Sequence, residues 1–190
     1  RFRKAEIMEQ KIVIKESVRG IVEYVLKSGS LDDRFMSIGR AMEGTIAHGK
    51  LQKDNENIYE DYQKEVKLQW GFIRDNIELI IEGRTDGIIK ESNNVIIEEI
   101  KSTYKSLIYI EEDYNELHWA QGKFYGYIYC KENNLKKIRI RLSYYDLNTD
   151  EVKSFEKEFI LTELEAFVSE LVETYMKAVL LKIALMEERN

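Results

Sequence analysis

The stretch EGRTDGIIKESNNVIIEEIKST, from Glu82 to Thr103, constrains the fold more than any other part of the chain. Two runs rich in β-branched residues, TDGIIK and NVIIEEIKST, flank ESNN, a good turn sequence, so the stretch reads as an antiparallel hairpin. With ESNN as the turn, Lys90 faces Val95. Counting back along both strands then sets Asp86 opposite Glu99. Directly opposed residues have Cβ atoms about 4.5–5.5 Å apart, and two carboxylates at that distance repel. A divalent cation between them would reverse the sign of that effect, because hard cations are held by one or two carboxylates. Side chains repeat every two residues, so Lys101 shares the face of Glu99, Arg84 falls opposite Lys101, and Glu98 points to the other side. The bland alternative is a surface hairpin with a solvated, charged end.

The rest of the chain supplies strands and helices around this hairpin. KIVIK predicts a short strand, followed by a helix from about Ser17 to Lys27 with Val18, Ile21, Val22, Val25 and Leu26 on its apolar stripe and Gly29 as a stop. IGRAMEGTIAHGKLQKD predicts a second helix. EDYQKEVKLQWGFI and NIELIIEG alternate as strands do. HWAQGKFYGYIYCKEN has helical spacing, KKIRIRLSYYDL and EVKSFEKEFI read as a strand pair around NTD, and a helix from Thr162 to about Glu188 closes the chain. Its expected inner stripe is Leu164, Phe167, Leu171, Tyr175 and Val179. This order predicts one α/β domain, residues 1–190, with a mixed sheet covered by helices. The chain begins at Arg1, not Met, and reads as a domain excised from a longer one.

Composition excludes several classes. With 190 residues, 44% hydrophobic and 34% charged, the chain has enough apolar matter for a core and is not of disordered type. Its longest uncharged apolar run is far too short to span a bilayer, so no membrane partner is expected. A single cysteine, Cys130, makes no intramolecular disulfide and cannot ligate an iron–sulfur cluster. A reducing, cytoplasmic compartment is the default reading. A net charge of −6 leaves nucleic-acid binding to a local basic patch.

Three features outside the hairpin bear on it. Ala41, Gly44, His48 and Leu51 share one face of the second helix. Small residues let that face approach a sheet, and His48 is then either a core residue or a nitrogen ligand for the carboxylate pair. His118, Gln121 and Tyr125 lie on one stripe of a later helix. That stripe is either an ordinary polar edge or a set of groups that hold a phosphate or base. Lys137, Arg139 and Arg141 alternate on one strand face, as a solvated face does; a local phosphate track is the competing reading.

Taken in order, these residues resemble the PD-(D/E)xK nuclease superfamily, and within it the RecB-type exonuclease group. GTIAH resembles its Gly-x-x-x-His helix, GRTD its Gly-x-x-Asp strand, EIK its (D/E)-x-Lys strand and QGKFY its Gln-x-x-x-Tyr helix. The four motifs run from Gly44 to Tyr125. The chain is similar to nuclease domains fused ahead of DinG- or XPD-like helicases, and to CRISPR-associated exonucleases. Thr85 stands where the superfamily name has a proline, and the chain contains no proline. The four cysteines of the iron–sulfur relatives are absent, so that cluster is not carried over.

The resemblance implies a restriction-endonuclease-like mixed β-sheet flanked by helices, and metal-dependent hydrolysis of DNA, as an exonuclease on ends or single strands in repair or recombination. Asp86, Glu99, the backbone carbonyl of Ile100 and His48 would hold Mg²⁺ or Mn²⁺. Lys101 would act with Asp86 and Glu99 in catalysis. Gln121, Tyr125 and Arg84 would contact the DNA strand, and a helicase in the same or another chain would be a partner. The competing function is a catalytically vestigial DNA-binding module attached to a helicase. A metal hydrolase acting on other substrates is a third class, disfavoured because no second histidine-rich motif is available for zinc.

Overall fold

A computed structural model describes residues 10–27 and 38–190, with the backbone alone for residues 38–41. The chain runs β1 (Ile12–Ser17), α1 (Val18–Leu26), α2 (Ile38–Ile58), β2 (Tyr62–Arg74), β3 (Ile77–Glu91), β4 (Asn94–Thr103), a 3₁₀ turn (Leu107–Tyr109), α3 (Glu116–Asn133), β5 (Lys137–Asp146), β6 (Val152–Ile160) and α4 (Leu161–Glu188). Among the described residues this is an α/β fold with a mixed sheet flanked by helices, as the sequence predicts.

Local chemistry sets several boundaries. Ser17 caps α1, its Oγ accepting from the Gly20 N–H at 2.8 Å, and satisfies a donor the first turn would leave open. Helix α1 ends at Leu26; Gly29, the expected stop, lies outside the described residues. Asn115 caps α3 in the same way, and Asn134 ends it in the left-handed region at φ 53°.

The sheet departs from the sequence expectation at its centre. NIELIIEG and TDGIIK are not two strands but one 15-residue strand, β3. Strand β2 lies antiparallel to it, from Arg74↔Ile77 to Tyr62↔Ile89. The opposite edge of β3 is divided. β1 pairs parallel with residues 77–82, and β4 pairs antiparallel with residues 87–91. Residues 83–86, the GRTD segment, fall at the handover. Beyond β4 come β5, parallel, and β6, antiparallel. The hairpin register is the expected one, with Lys90 opposite Val95.

The main core lies on one face of the sheet, where Ile97, Ile140 and Leu142 meet α1, α3 and α4. Gly122 permits this closeness, since a Cβ there would lie 2.5 Å from Cγ2 of Ile140. The buried stripe of α4 is Leu164, Val168, Leu171, Val172 and Met176; the expected Phe167, Tyr175 and Val179 lie at its half-buried margin. The stripe is rotated because α4 packs against α1 and α3 as well as the sheet end. The other face carries α2 on a small cluster of Ala47, Leu51, Ile100 and Tyr145.

Candidate active site

The expected carboxylate pair sits where the sheet loses its ladders. The β3–β4 pairing stops at Gly87↔Glu98, one pair short of Asp86 and Glu99. On the other edge the β2–β3 register passes from Lys64↔Gly87 to Val66↔Thr85, leaving Asp86 unpaired across from Glu65, which adopts φ 51°. Among the described residues Asp86 therefore has no ladder partner on either side. Two of its oxygens find other partners. Oδ2 accepts from the Ile100 N–H at 2.7 Å, and its backbone oxygen accepts from Gln52 Nε2 at 3.0 Å. Thr85, at the proline position of the resemblance, donates Oγ1–H to the Glu98 carbonyl at 3.2 Å and closes the head of the fork.

The fork corrects one expected pairing. Arg84 does not lie opposite Lys101, because β3 and β4 no longer pair there; Arg84 instead pairs with Lys67 of β2 and its side chain is exposed. Extending the register by one pair still sets Asp86 across from Glu99, and the two carboxylates interact.

Their environments differ. Glu99 is 4% exposed. Burial and then the Asp86 charge hold its carboxyl well above the usual range, against the pull of Lys101. Its Oε1 is buried with no hydrogen-bond partner among the described residues. Burial would also raise Asp86, but His48, the Ile100 N–H and Lys101 outweigh it and bring that carboxyl below its ordinary value.

Two helices reach the fork from opposite faces. From α2, His48 Nδ1 stands 3.5 Å from Asp86 Oδ1. His48 is 31% exposed, so it stands at a rim and not in the core. Gly44 lies against Ser102 as a close-packing residue should, while the Ala41 side chain lies outside the described residues. From α3, Gln121 Oε1 accepts from Lys101 Nζ at 2.7 Å. The Tyr125 ring lies on Gly83, where a Cβ would come within 2.5 Å of its hydroxyl, and that hydroxyl is hydrogen-bonded to the Arg84 backbone. Gln121 and Tyr125 are both buried, and their polar ends are directed at Lys101 and β3. His118 is turned to Tyr144, Nδ1 to hydroxyl 2.9 Å, and burial followed by the Lys101 and Arg19 charges brings it down to about 3.

Other polar residues close the far side of the fork, and sequence reasoning missed them. Glu98, set aside as facing the other way, is 2% exposed and does face the other way. It accepts from Asn55 Nδ2 at 2.6 Å and from Ser143 Oγ at 2.8 Å. A signal was present: His48, Gln52 and Asn55 recur at four and three residues, a polar stripe on a face aimed at the sheet. The Lys137–Arg139–Arg141 face is ion-paired with Glu158, Glu156 and Glu98, so these cations are already matched within the protein.

The donor set bears on metal binding in two ways. Two carboxylates, one with an unpartnered buried oxygen, and an imidazole suit a hard divalent cation. Ile100 presents its N–H to Asp86, and a strand residue directs its N–H and carbonyl to the same side, so its carbonyl also faces the fork. Against this, among the described residues no three His, Cys, Asp or Glu side chains stand grouped so that they could hold a metal ion. The groups fit in kind; the Asp86 oxygens are directed at His48 and Ile100.

No protein-family model matches the chain, and no curated protein matches it in sequence. Among solved structures, one titled "Crystal structure of SSO0001" matches with a TM-score of 0.52 and 18% identity, over 84% of this chain and 76% of that chain. At that identity the likeness concerns the fold alone. No described helix is long and apolar enough to cross a membrane.

Proposed function

We propose that this chain is a divalent-metal-dependent deoxyribonuclease of restriction-endonuclease-like fold, acting as an exonuclease on DNA ends or single strands. The observation that carries the reading is Glu99: a buried carboxylate beside a second carboxylate, with one oxygen unpartnered and a lysine two residues on. A protein that buries such a pair without a cation retains a repulsion that a cation would remove. Asp86, Glu99, the Ile100 carbonyl and His48 would hold Mg²⁺ or Mn²⁺. The ion would lower the pKa of a water and offset charge developing on the phosphate.

The chain's own groups do the rest. Gln121 holds the Lys101 ammonium at the fork, where its charge meets the phosphate as negative charge builds on it. Tyr125, seated on Gly83, fixes the segment that carries Asp86. Arg84, exposed beside the fork, is placed for a phosphate of the strand. A helicase that delivers DNA is the partner this reading favours, and a cytoplasmic setting accords with one buried thiol, Cys130.

The lack of a three-ligand group among the described residues favours a second reading, a vestigial DNA-binding module. Lys101→Met separates the two. Cleavage of end-labelled single-stranded DNA with Mg²⁺ or Mn²⁺ should fall by about 10²–10³. Binding measured with Ca²⁺ should change little, because one charge among several phosphate contacts is a small share of affinity. A wild-type protein that binds DNA but cuts nothing under either metal would establish the vestigial reading.

A further inference from the structure

We infer that Glu98 is a positioning residue: its buried carboxylate clamps α2 to β5 and thereby fixes where His48 and Gln52 meet Asp86. The catalytic consequence rests on the nuclease reading; the clamp itself does not.

Helix α2 has little apolar hold on the sheet. Among its described side chains only Ala47 and Leu51 reach the small cluster with Ile100 and Tyr145, while Met42 and Ile46 are exposed. Its seating therefore leans on polar contacts as well, and three of them form one stripe. His48 approaches Asp86 Oδ1, Gln52 bonds the Asp86 carbonyl, and Asn55 bonds Glu98 Oε1. Just past the helix, Tyr59 accepts from Arg141 Nη1 at 2.9 Å, and the same Arg141 nitrogen stands 3.7 Å from Glu98 Oε2. Ser143 holds Oε2 as well. One oxygen of Glu98 thus faces α2 and the other faces β5.

A carboxylate in this place is costly. Glu98 sits in a strand whose neighbours Ile96, Ile97 and Ile100 are buried, and an apolar side chain there would avoid the desolvation. An apolar contact would fill the space but would not set the position of α2 along its own axis. A directional hydrogen bond does. The geometry also amplifies small errors. His48 lies seven residues before Asn55, about 10 Å along the helix, so a tilt at the clamp displaces the imidazole at the fork. Displacements near 1 Å at a reacting centre cost about 10²-fold in rate.

The test uses Asn55→Ala and Glu98→Gln in the full chain, read first by NMR without metal. The chain has two histidines, so the His48 ring is a resolved reporter and His118, on the other face, is its control. Both variants should move the His48 ring resonances and leave those of His118 in place. The double variant Asn55→Asp/Glu98→Gln, which exchanges donor and acceptor, should restore them. In Mn²⁺ titrations and DNA assays the single variants should lose about tenfold in metal affinity and in kcat, with KM for DNA within about twofold. Unmoved His48 signals in both single variants, even with a lowered Tm, would overturn the clamp and leave Glu98 a purely structural residue. A wild-type protein that neither binds Mn²⁺ nor cuts DNA would defeat the nuclease reading, yet the His48 signals would still decide the clamp. Should Glu98→Gln fail to fold, Ser143→Ala, which removes one of the donors to Glu98, supports the same comparison.

Discussion

Glu99 shows most clearly what a single residue costs this fold. Its carboxyl is raised by burial and by Asp86, and a group with a raised folded-state pKa favours folding below its unfolded value, about 4.3. That contribution is lost as pH rises from the unfolded value towards the folded one, so at neutral pH the buried Glu99 carboxyl opposes folding. Glu99→Gln should therefore stabilise the metal-free protein by about 1–3 kcal/mol at pH 7, with the gain vanishing towards pH 4. Thermal melts across that range check the sign; a variant less stable than wild type at pH 7 would show that Glu99 is satisfied in a way the fork does not reveal. His118 has the opposite sense. Burial keeps it down at about 3, so the neutral ring is favoured and stability is lost as pH falls below about 6.5. His118→Gln should flatten the fall in stability between pH 6.5 and 5, a difference of order 1 kcal/mol in denaturant titrations.

At the level of elements, the fork depends on β3 handing its edge from β1 to β4 over residues 83–86. Gly83→Ala places a Cβ against the Tyr125 hydroxyl and should destabilise by about 1–3 kcal/mol. Tyr125→Phe, which removes that hydroxyl, should recover part of the loss in urea unfolding. The hairpin was legible from sequence because a local turn and alternating residues fix its register, and so was the juxtaposition of Asp86, Glu99 and Lys101. The handover was not. GRTD reads as a break between strands, and only the long antiparallel pairing with β2, from Ile77 to Ile89, shows that the strand continues through it. The end of the ladder was hidden for the same reason, so Arg84 was set opposite Lys101. Helix α2 misled differently: its apolar residues are few, and the informative pattern was the polar stripe His48, Gln52 and Asn55.

Across the whole molecule, charge is distributed so that any nucleic-acid binding has to be local. The chain carries a net charge of −6, and the basic stripe on β5 is matched by glutamates of β4 and β6. Replacing both Lys137 and Arg139 by alanine should leave DNA affinity within about twofold; a tenfold loss with a shallower salt slope would make that stripe a phosphate track. The proposal that the fork between β3 and β4 holds a divalent cation is decided by calorimetric titration of Mn²⁺ into the wild type, Asp86→Ala and Glu99→Ala. Saturable binding is expected for the wild type and none for either variant, with Mn²⁺ raising the wild-type Tm alone. Equal Mn²⁺ affinity in all three proteins would contradict it.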